Sequence, residues 1–446
     1  MQPTLEFINH ASVLISNEEV SLLSDPWYQG DAFHKGWNLI HELSDDEING
    51  LLNRVTHIWI SHEHPDHFSV SFFIKFKELI LSNDIKILFQ KTNDKRVESF
   101  LLANKFNLIT LEPNKWIKIA NDYKVLNFKD GFYDSGLAIN TCNMSFLNLN
   151  DCEIKTNKRC NEVYKIVGAC DVLISQFSYA AWKGGKENVL WRMKAAEEKL
   201  NTLEMQVKKF NPKYLIPFAS FVNFSNEKNF YLNDSSNTPR EVINKFKSND
   251  ELDIIVMKPF DILNFQFKNK NNNDASIDFW DKKYSNLSPK NKFEIKEMTE
   301  LNEIFDNYKK RIFKNNSKFF IRIVRLISPI RAFQPLNIYL DDIKTNVHFD
   351  IFSEKLEATN KAPDVEMSSE SLYFVMQNTF GFDTLTVNGC FEEKKENGFA
   401  KMTKSLAIEN LNNIGIKFDF YMIFNFKLLV LFLHRLKTVS KKINNT

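Results

Sequence analysis

The chain is poor in the residues that mark specialised scaffolds. Five cysteines, Cys142, Cys152, Cys160, Cys170 and Cys390, are scattered over 446 residues. They are too few for a disulfide framework, and no two are spaced as Cys-x-x-Cys. No Cys-x-His pair exists, so no Rieske cluster can be built from this chain. Glycine and proline number 12 each, which argues against long flexible linkers. The start, Met1-Gln2-Pro3-Thr4-Leu5-Glu6, lacks a basic region ahead of a long apolar core, so no signal peptide is expected. A reducing, cytoplasmic setting follows as the expectation. A formal net charge of +2 gives no electrostatic case for nucleic acid as a partner.

Histidine is also scarce overall, with nine in the chain, yet three of them fall in Ser61-His62-Glu63-His64-Pro65-Asp66-His67. Imidazole and carboxylate are the side chains that hold zinc, iron or manganese at neutral pH. The apolar run Thr56-His57-Ile58-Trp59-Ile60 precedes this stretch and reads as a strand. Past a strand end, His62 and His64 are two apart and point the same way. Asp66 and His67 follow Pro65, where the chain turns, and approach from another side. One short segment can therefore serve two neighbouring ions, with His62, His64, Asp66 and His67 as ligands.

Around this stretch the chain reads as strands alternating with amphipathic helices, the rhythm of sheets covered by helices. Leu5 to Ile15 is a strand, a turn at Asn9-His10-Ala11 and a second strand; Val20 to Leu23 makes a third, ending at Asp25-Pro26. Asp25 is placed to accept from backbone N–H groups and orient a metal ligand, or else to form an Asx-turn. Trp27 to Trp37 reads as a loop over a pocket. Ser44 and Glu47 form a capping box, and Ser69 opens a helix carrying Phe72, Phe73, Phe76 and Leu79. Further strands are expected at 85–89, 108–111, 116–119, 123–128, 137–142, 144–149, 171–175, 214–217 and 253–257, with helices at 96–104 and 190–210. Lys183, Lys186 and Arg192, near Gly184-Gly185, could meet a phosphate or carboxylate, or form a solvated face.

The length allows two domains: 1–265 as a metal-binding catalytic domain, 266–290 as a linker, and 291–446 as a C-terminal α+β module. In the last, Phe293 to Phe313 reads as helix, Phe333 to Tyr339 and Thr345 to Phe352 as strands, Met367 to Leu372 as a capped helix start, and Thr384 to Glu392 as a strand. Phe418 to Leu433 is very apolar but shorter than a membrane span. A packed helix is its default reading, with contact to a membrane surface as the alternative.

The order His62-x-His64-x-Asp66-His67 resembles the signature of the metallo-β-lactamase superfamily. The stretches Ser24-Asp25-Pro26-Trp27-Tyr28-Gln29-Gly30-Asp31-Ala32-Phe33, Ile40-His41-Glu42, Leu147-Asn148-Leu149-Asn150-Asp151-Cys152 and Pro217-Phe218-Ala219 resemble the non-Rieske part of the CMP-N-acetylneuraminate hydroxylase family over roughly residues 1 to 260. The resemblance implies an αββα sandwich. It implies that Asp151 bridges two metals and that His10 lies in a loop near them, unless His10 is a capped turn residue. Many relatives supply a further histidine between the signature and this aspartate, and another near the domain's end. This chain has none between His67 and His348. Asp134 or Tyr133 would have to substitute at the first place; the second absence is shared by the hydroxylase branch. The C-terminal module resembles a sterol-carrier-like accessory module.

The implied activity is that of a di-iron oxygenase acting on a nucleotide-linked or anionic sugar, fed by a separate ferredoxin or Rieske partner. The alternative is a zinc or manganese hydrolase of an ester, lactone or phosphodiester, phospholipid-like substrates included, with Asp66 or a bound hydroxide handling the proton. A third reading is a degenerate, non-catalytic binding module. A homo-oligomer would be compatible with each.

Overall fold

In the computed structural model, residues 2–265, 273–328 and 331–421 are described. The chain forms two compact units, one of Met1–Lys183 with Glu187–Asn291, the other of Gly184–Lys186 with Lys292–Thr446.

The first unit holds two seven-stranded sheets. One runs Ile262–Asn264, Thr4–Asn9, Ser12–Ser16, Ser21–Ser24, His57–Ile60, Lys86–Gln90 and Asn107–Leu111. Its first four strands are antiparallel, and from Ser21–Ser24 onward the pairing is parallel. The other runs Asp253–Ile254, Tyr214–Phe218, Val172–Gln176, Met144–Asn150, Ser135–Thr141, Tyr123–Lys129 and Trp116–Ala120. Here the first four are parallel and the rest antiparallel. Parallel neighbours need helical crossovers, and the intervening helices provide them.

Strand alternation decides which face each residue takes. Phe7, Val13, Ile15, Leu22, Trp59 and Leu88 of the first sheet enter one core with Val125, Phe128, Ile139, Phe146 and Leu173 of the second. Their neighbours Ile8, Leu14, Leu23, Ile58, Ile60, Ile87 and Phe89 turn outward to a second core with Ile48, Leu51, Phe72, Phe73 and Leu101 of the covering helices. On the second sheet's outer side, Cys160, Val163, Leu203, Val207, Phe210 and Val242 come from helices Asn157–Val167, Val189–Phe210 and Pro239–Phe246. The unit is thus an αββα sandwich. The Tyr123 hydroxyl donates to Ile15 O at 3.0 Å and Trp59 Nε1 to Asn127 Oδ1 at 3.3 Å, polar pins between the sheets.

The expected elements recur with instructive differences. Ser44 and Glu47 do form the capping box of Asp45–Leu52. The helix opened by Ser69 breaks at Phe76 into Val70–Lys75 and Lys77–Ser82, Phe76 leaving helical geometry with φ −102° and ψ 16°. The stretch read as linker at 266–290 contains the helix Asn273–Ser285, while 266–272 lie outside the described residues. Asn and Lys abundance suggested a linker, but Trp280 is fully buried and packs 4.3 Å from the Phe221 ring. Burial of one large aromatic outweighs the weak propensity of its polar neighbours.

The second unit has a five-stranded sheet ordered Glu357–Ala358, Thr345–Phe349, Leu336–Leu340, Val365–Met367 and Phe391–Glu393. Ser368 caps the helix Ser369–Gln377 by accepting from Ser371 N. Thr384 to Glu392 is not a strand throughout. It is the end of helix Gly381–Asn388, a left-handed Gly389 at φ 66°, and only then a strand. The β-branched Thr384, Thr386 and Val387 gave the strand reading, but Phe382, Leu385 and Asn388 are buried at helical spacing and tertiary packing decides. Of the apolar run 418–433, residues from 422 onward lie outside the described residues. No helix among the described residues is long and apolar enough to cross a membrane.

His57, on the strand that leads into the histidine-rich turn, gives the first unit a pH dependence. Burial, with Lys86 adding to it, pushes its imidazole down to about 4. An unfolded histidine titrates near ~6.5. As pH falls from there toward 4, the unfolded chain takes up a proton that the fold refuses, so the stability present at neutral pH is progressively lost. Urea unfolding at about pH 7 and about pH 4.5 should show the wild type losing more stability than His57→Gln. Equal losses would mean that His57 carries none of the effect.

Candidate metal centre

Both sheets of the sandwich deliver donors to one place. The strand His57–Ile60 runs into the turn 61–67, where His67 N and Phe68 N both donate to His64 O, at 3.0 and 2.7 Å. That closure brings Asp66 and His67 back beside His62. His10 comes from the turn between Thr4–Asn9 and Ser12–Ser16. From the second sheet, Asp151 follows the strand Met144–Asn150 and Asp134 precedes Ser135–Thr141.

These side chains fall into three overlapping triads: His62, His64 and Asp134; His62, His67 and Asp151; His10, Asp66 and His67. Within each, the ligand atoms lie within 4.8 Å of one another. Bonds of about 2.0–2.2 Å put donors on one ion at most about 4.4 Å apart, so each triad is close to the size of a single ion's shell. His62 Nε2 lies 2.9 Å from His64 Nδ1 and 3.7 Å from Asp134 Oδ1. His67 Nε2 lies 3.2 Å from both Asp66 Oδ2 and Asp151 Oδ2. His10 Nε2 is 3.5 Å from Asp66 Oδ2.

A direct test of fit is whether buried polar atoms lack partners. Both ring nitrogens of His10 and Oδ1 of Asp66 are buried and make no hydrogen bond among the described residues. Such groups are costly unless something binds them, and an imidazole nitrogen facing a carboxylate oxygen is a donor set for a cation. The residues present fit two neighbouring ions. His62, His64 and Asp134 would hold one, Asp66, His67 and His10 the other, with Asp151 between them.

Asp25 holds this arrangement. It is fully buried and sits at the end of Ser21–Ser24 in a left-handed conformation, φ 35°. Its Oδ1 accepts from Ser61 N at 2.7 Å; its Oδ2 accepts from the Ser61 hydroxyl at 2.7 Å, faces His67 Nδ1 at 3.0 Å and accepts from Asn150 Nδ2. A carboxylate on one ring nitrogen fixes the tautomer and turns the other nitrogen outward. Ser61 Oγ does the corresponding service for His62 Nδ1 at 2.9 Å.

The charges follow from this crowding. Burial opposes a charge on His67, but Asp66, Asp151 and Asp25 outweigh it and hold its imidazole well above the usual range. Burial, with His67 and His64 alongside, pushes His62 well below it. Burial likewise raises Asp134, to about 7, with Asp151 and Asp130 adding and His64 opposing. A cation in the pocket would reverse that shift, because its charge would dominate the local field.

Of the residues named from the sequence, His10, His62, His64, Asp66, His67, Asp134 and Asp151 form the clusters and Asp25 supports them. Tyr133 enters through its backbone, its carbonyl accepting from Gln90 Nε2 at 2.5 Å. Asp134 provides a side chain that completes a triad with His62 and His64. Ala219 N donates to His10 O at 2.8 Å, so the Pro217-Phe218-Ala219 segment positions the His10 turn. Three supports were not foreseen: Gln90 and Ser135, both donating to Ser61 O, and the amide of Asn150. Polar residues at strand ends of a buried sheet are the signal that could have found them. Arg192 is corrected outright. Its buried guanidinium is bidentate to Asp234, at 2.8 and 2.7 Å, and lies over the Tyr231 ring, so it serves packing rather than an anion.

No family model matches the sequence. Curated proteins do. The cytidine monophosphate-N-acetylneuraminic acid hydroxylase of Danio rerio is 28% identical over 258 residues, covering 54% of this chain and 42% of that protein. Its counterpart in Pongo pygmaeus is 25% identical over 276 residues, covering 57% and 45%. A Homo sapiens relative, named as an inactive form, is 25% identical and covers 57% and 52%. The chain spans about half the length of the curated relatives it matches. Among solved structures, CmlA, a diiron β-hydroxylase from Streptomyces venezuelae, superposes with a TM-score of 0.43 at 13% identity, over 59% of this chain and 54% of that one. The chain is an αββα sandwich, and over 54–57% of its length it resembles the sialic-acid-nucleotide hydroxylases.

Proposed function

We propose that this chain is a metal-dependent oxidoreductase, a di-iron hydroxylase of a nucleotide-linked or otherwise anionic sugar, with electrons from a separate ferredoxin- or Rieske-type donor. The observation that carries this reading is Asp134 beside His62 and His64. With Asp66 and Asp151 it makes three carboxylates, against the four positive charges of two divalent ions. A neutral imidazole in its place would leave the pair one unit more positive. The extra negative charge stabilises a higher oxidation state, which iron reaches and zinc does not. The resemblance to the sialic-acid-nucleotide hydroxylases supplies the substrate class.

The overall reaction would be R–H + O₂ + 2 e⁻ + 2 H⁺ → R–OH + H₂O, the electrons coming from the donor protein. When bound, the iron pair supplies dioxygen activation. The chain's own residues supply the rest. Asp25 and Ser61 fix the rings of His67 and His62. Asp66, with its second oxygen uncommitted, is positioned to take or give a proton inside the pocket. The Phe33 ring packs 5.6 Å from the His64 ring and helps to keep water from that side.

The test is elemental analysis and an optical spectrum of the full chain purified without added metal. About two irons per chain with a charge-transfer band are expected. Zinc or manganese without a band would instead establish the hydrolase reading. No metal, together with no uptake on reconstitution, would remove both and leave a binding module.

A further inference from the structure

The helix Val189–Phe210 carries a lysine whose surroundings are incomplete. Lys199 reaches the end of strand Val172–Gln176, where its ammonium donates to Gln176 Oε1 at 3.0 Å. That neutral amide is its one hydrogen-bond partner among the described residues, and no carboxylate lies within ion-pair distance of it. An ammonium has three protons to place. Gln176 is itself buried, and Lys199 is half-buried.

The position is close to the metal centre. Strand Val172–Gln176 pairs with Met144–Asn150 so that Ser175 faces Asn150, the residue before Asp151. Asp151 is near enough to act on the Lys199 charge, as are Glu153 and Lys183. Lys183 is half-buried too and makes no hydrogen bond or ion pair among the described residues. Glu153 spends its carboxylate on Lys155. Lys199 near Asp151, and Lys183 near Glu153 and Glu198, are therefore half-buried with no carboxylate at ion-pair distance among the described residues. Burying a cation in this way is costly unless an anion completes the site.

We propose that Lys199, held by Gln176, and Lys183 form the subsite that takes the anionic oxygen group of the substrate, a phosphate or a carboxylate, and presents the rest of that molecule to the His/Asp centre. This rests on the reading of that centre as a catalytic site for an anionic sugar. A bound anion would use the two ammonium protons of Lys199 that Gln176 leaves over and the field of Lys183. The subsite sets which molecule is held and in what orientation; the metal ligands set what happens to it.

The experiment is calorimetric titration of the metal-loaded full chain with two pairs of probes: cytidine 5′-monophosphate against cytidine, and N-acetylneuraminate against its methyl ester. Metal content is measured on every sample. The charged member of at least one pair should bind more tightly, by about tenfold; which pair responds identifies phosphate or carboxylate. Lys199→Met should erase that advantage while Lys199→Arg keeps most of it. Gln176→Glu gives Lys199 an internal carboxylate partner, so it should weaken anion binding without removing a lysine. Equal affinity within each pair, or a Lys199→Met protein that keeps both its metal and the full advantage, would overturn the subsite. Metal-free protein would overturn the catalytic reading instead, so the two failures are distinguishable.

Discussion

Asp25→Asn lowers metal affinity by about 10–100-fold, the range seen when the group orienting a metal-bound histidine is lost. Asparagine keeps the shape but cannot accept from all of the groups that converge here: Ser61 N, the Ser61 hydroxyl, His67 Nδ1 and Asn150 Nδ2. Its amide would present N–H to a ring nitrogen that needs an acceptor, and His67 would lose its fixed orientation. Asp25→Ala goes further. It leaves several buried donors without partners, His67 Nδ1 among them, at a cost of about 3–5 kcal/mol. Chelator competition measures the first effect and urea unfolding the second. An Asp25→Asn protein that holds its metals as the wild type does would show that the carboxylate is only a turn residue before Pro26.

Asp134→Ala halves the metal content. It removes the carboxylate that completes the His62–His64 triad and leaves Asp66, His67, His10 and Asp151 for the other ion. Asp134→His is the more informative partner variant. It restores a neutral donor, so both positions should still fill. The lost negative charge should shift the preference from iron toward zinc and bleach the charge-transfer band. Elemental analysis and the optical spectrum read both variants. Full occupancy by iron in Asp134→Ala would exclude Asp134 as a ligand and, with it, the charge argument for a redox pair.

What could be read in advance divides by distance along the chain. His62, His64, Asp66 and His67 are contiguous, and a strand followed by a proline turn suffices to converge them. Asp25 was readable because an acidic residue ends an apolar strand. The roles of His10 and Asp134 were not fixed in this way. Nothing in the order of residues says that Ala219 bonds to the His10 carbonyl. The segment where a late histidine is missing therefore lies against an early one. Similarly, Arg192 and Lys199 are two helical turns apart on one helix. Only the sandwich decides that the first is consumed by Asp234 while the second reaches the strand ends near Asp151. Among secondary elements, the strands were legible because their apolar faces alternate. Asn273–Ser285 and Gly381–Asn388 were not, because local composition and propensity pointed elsewhere and buried Trp280, Phe382 and Leu385 overrode them.

The placement of the Asp25 network has a consequence for how the chain acquires its native state. Asp25 and Ser61 belong to one sheet and Asn150 to the other, so their hydrogen bonds cross the seam between them. The groups that meet there are far apart in sequence, and contacts of this kind form late because loop-closure entropy must be met first. During refolding, helices and hairpins would appear before the ligand set exists, and an ion offered early would find only the short His62–His67 segment. Tight uptake of metal would then coincide with the docking of the two sheets, and the rate at which the ions become resistant to chelator would clock that final step.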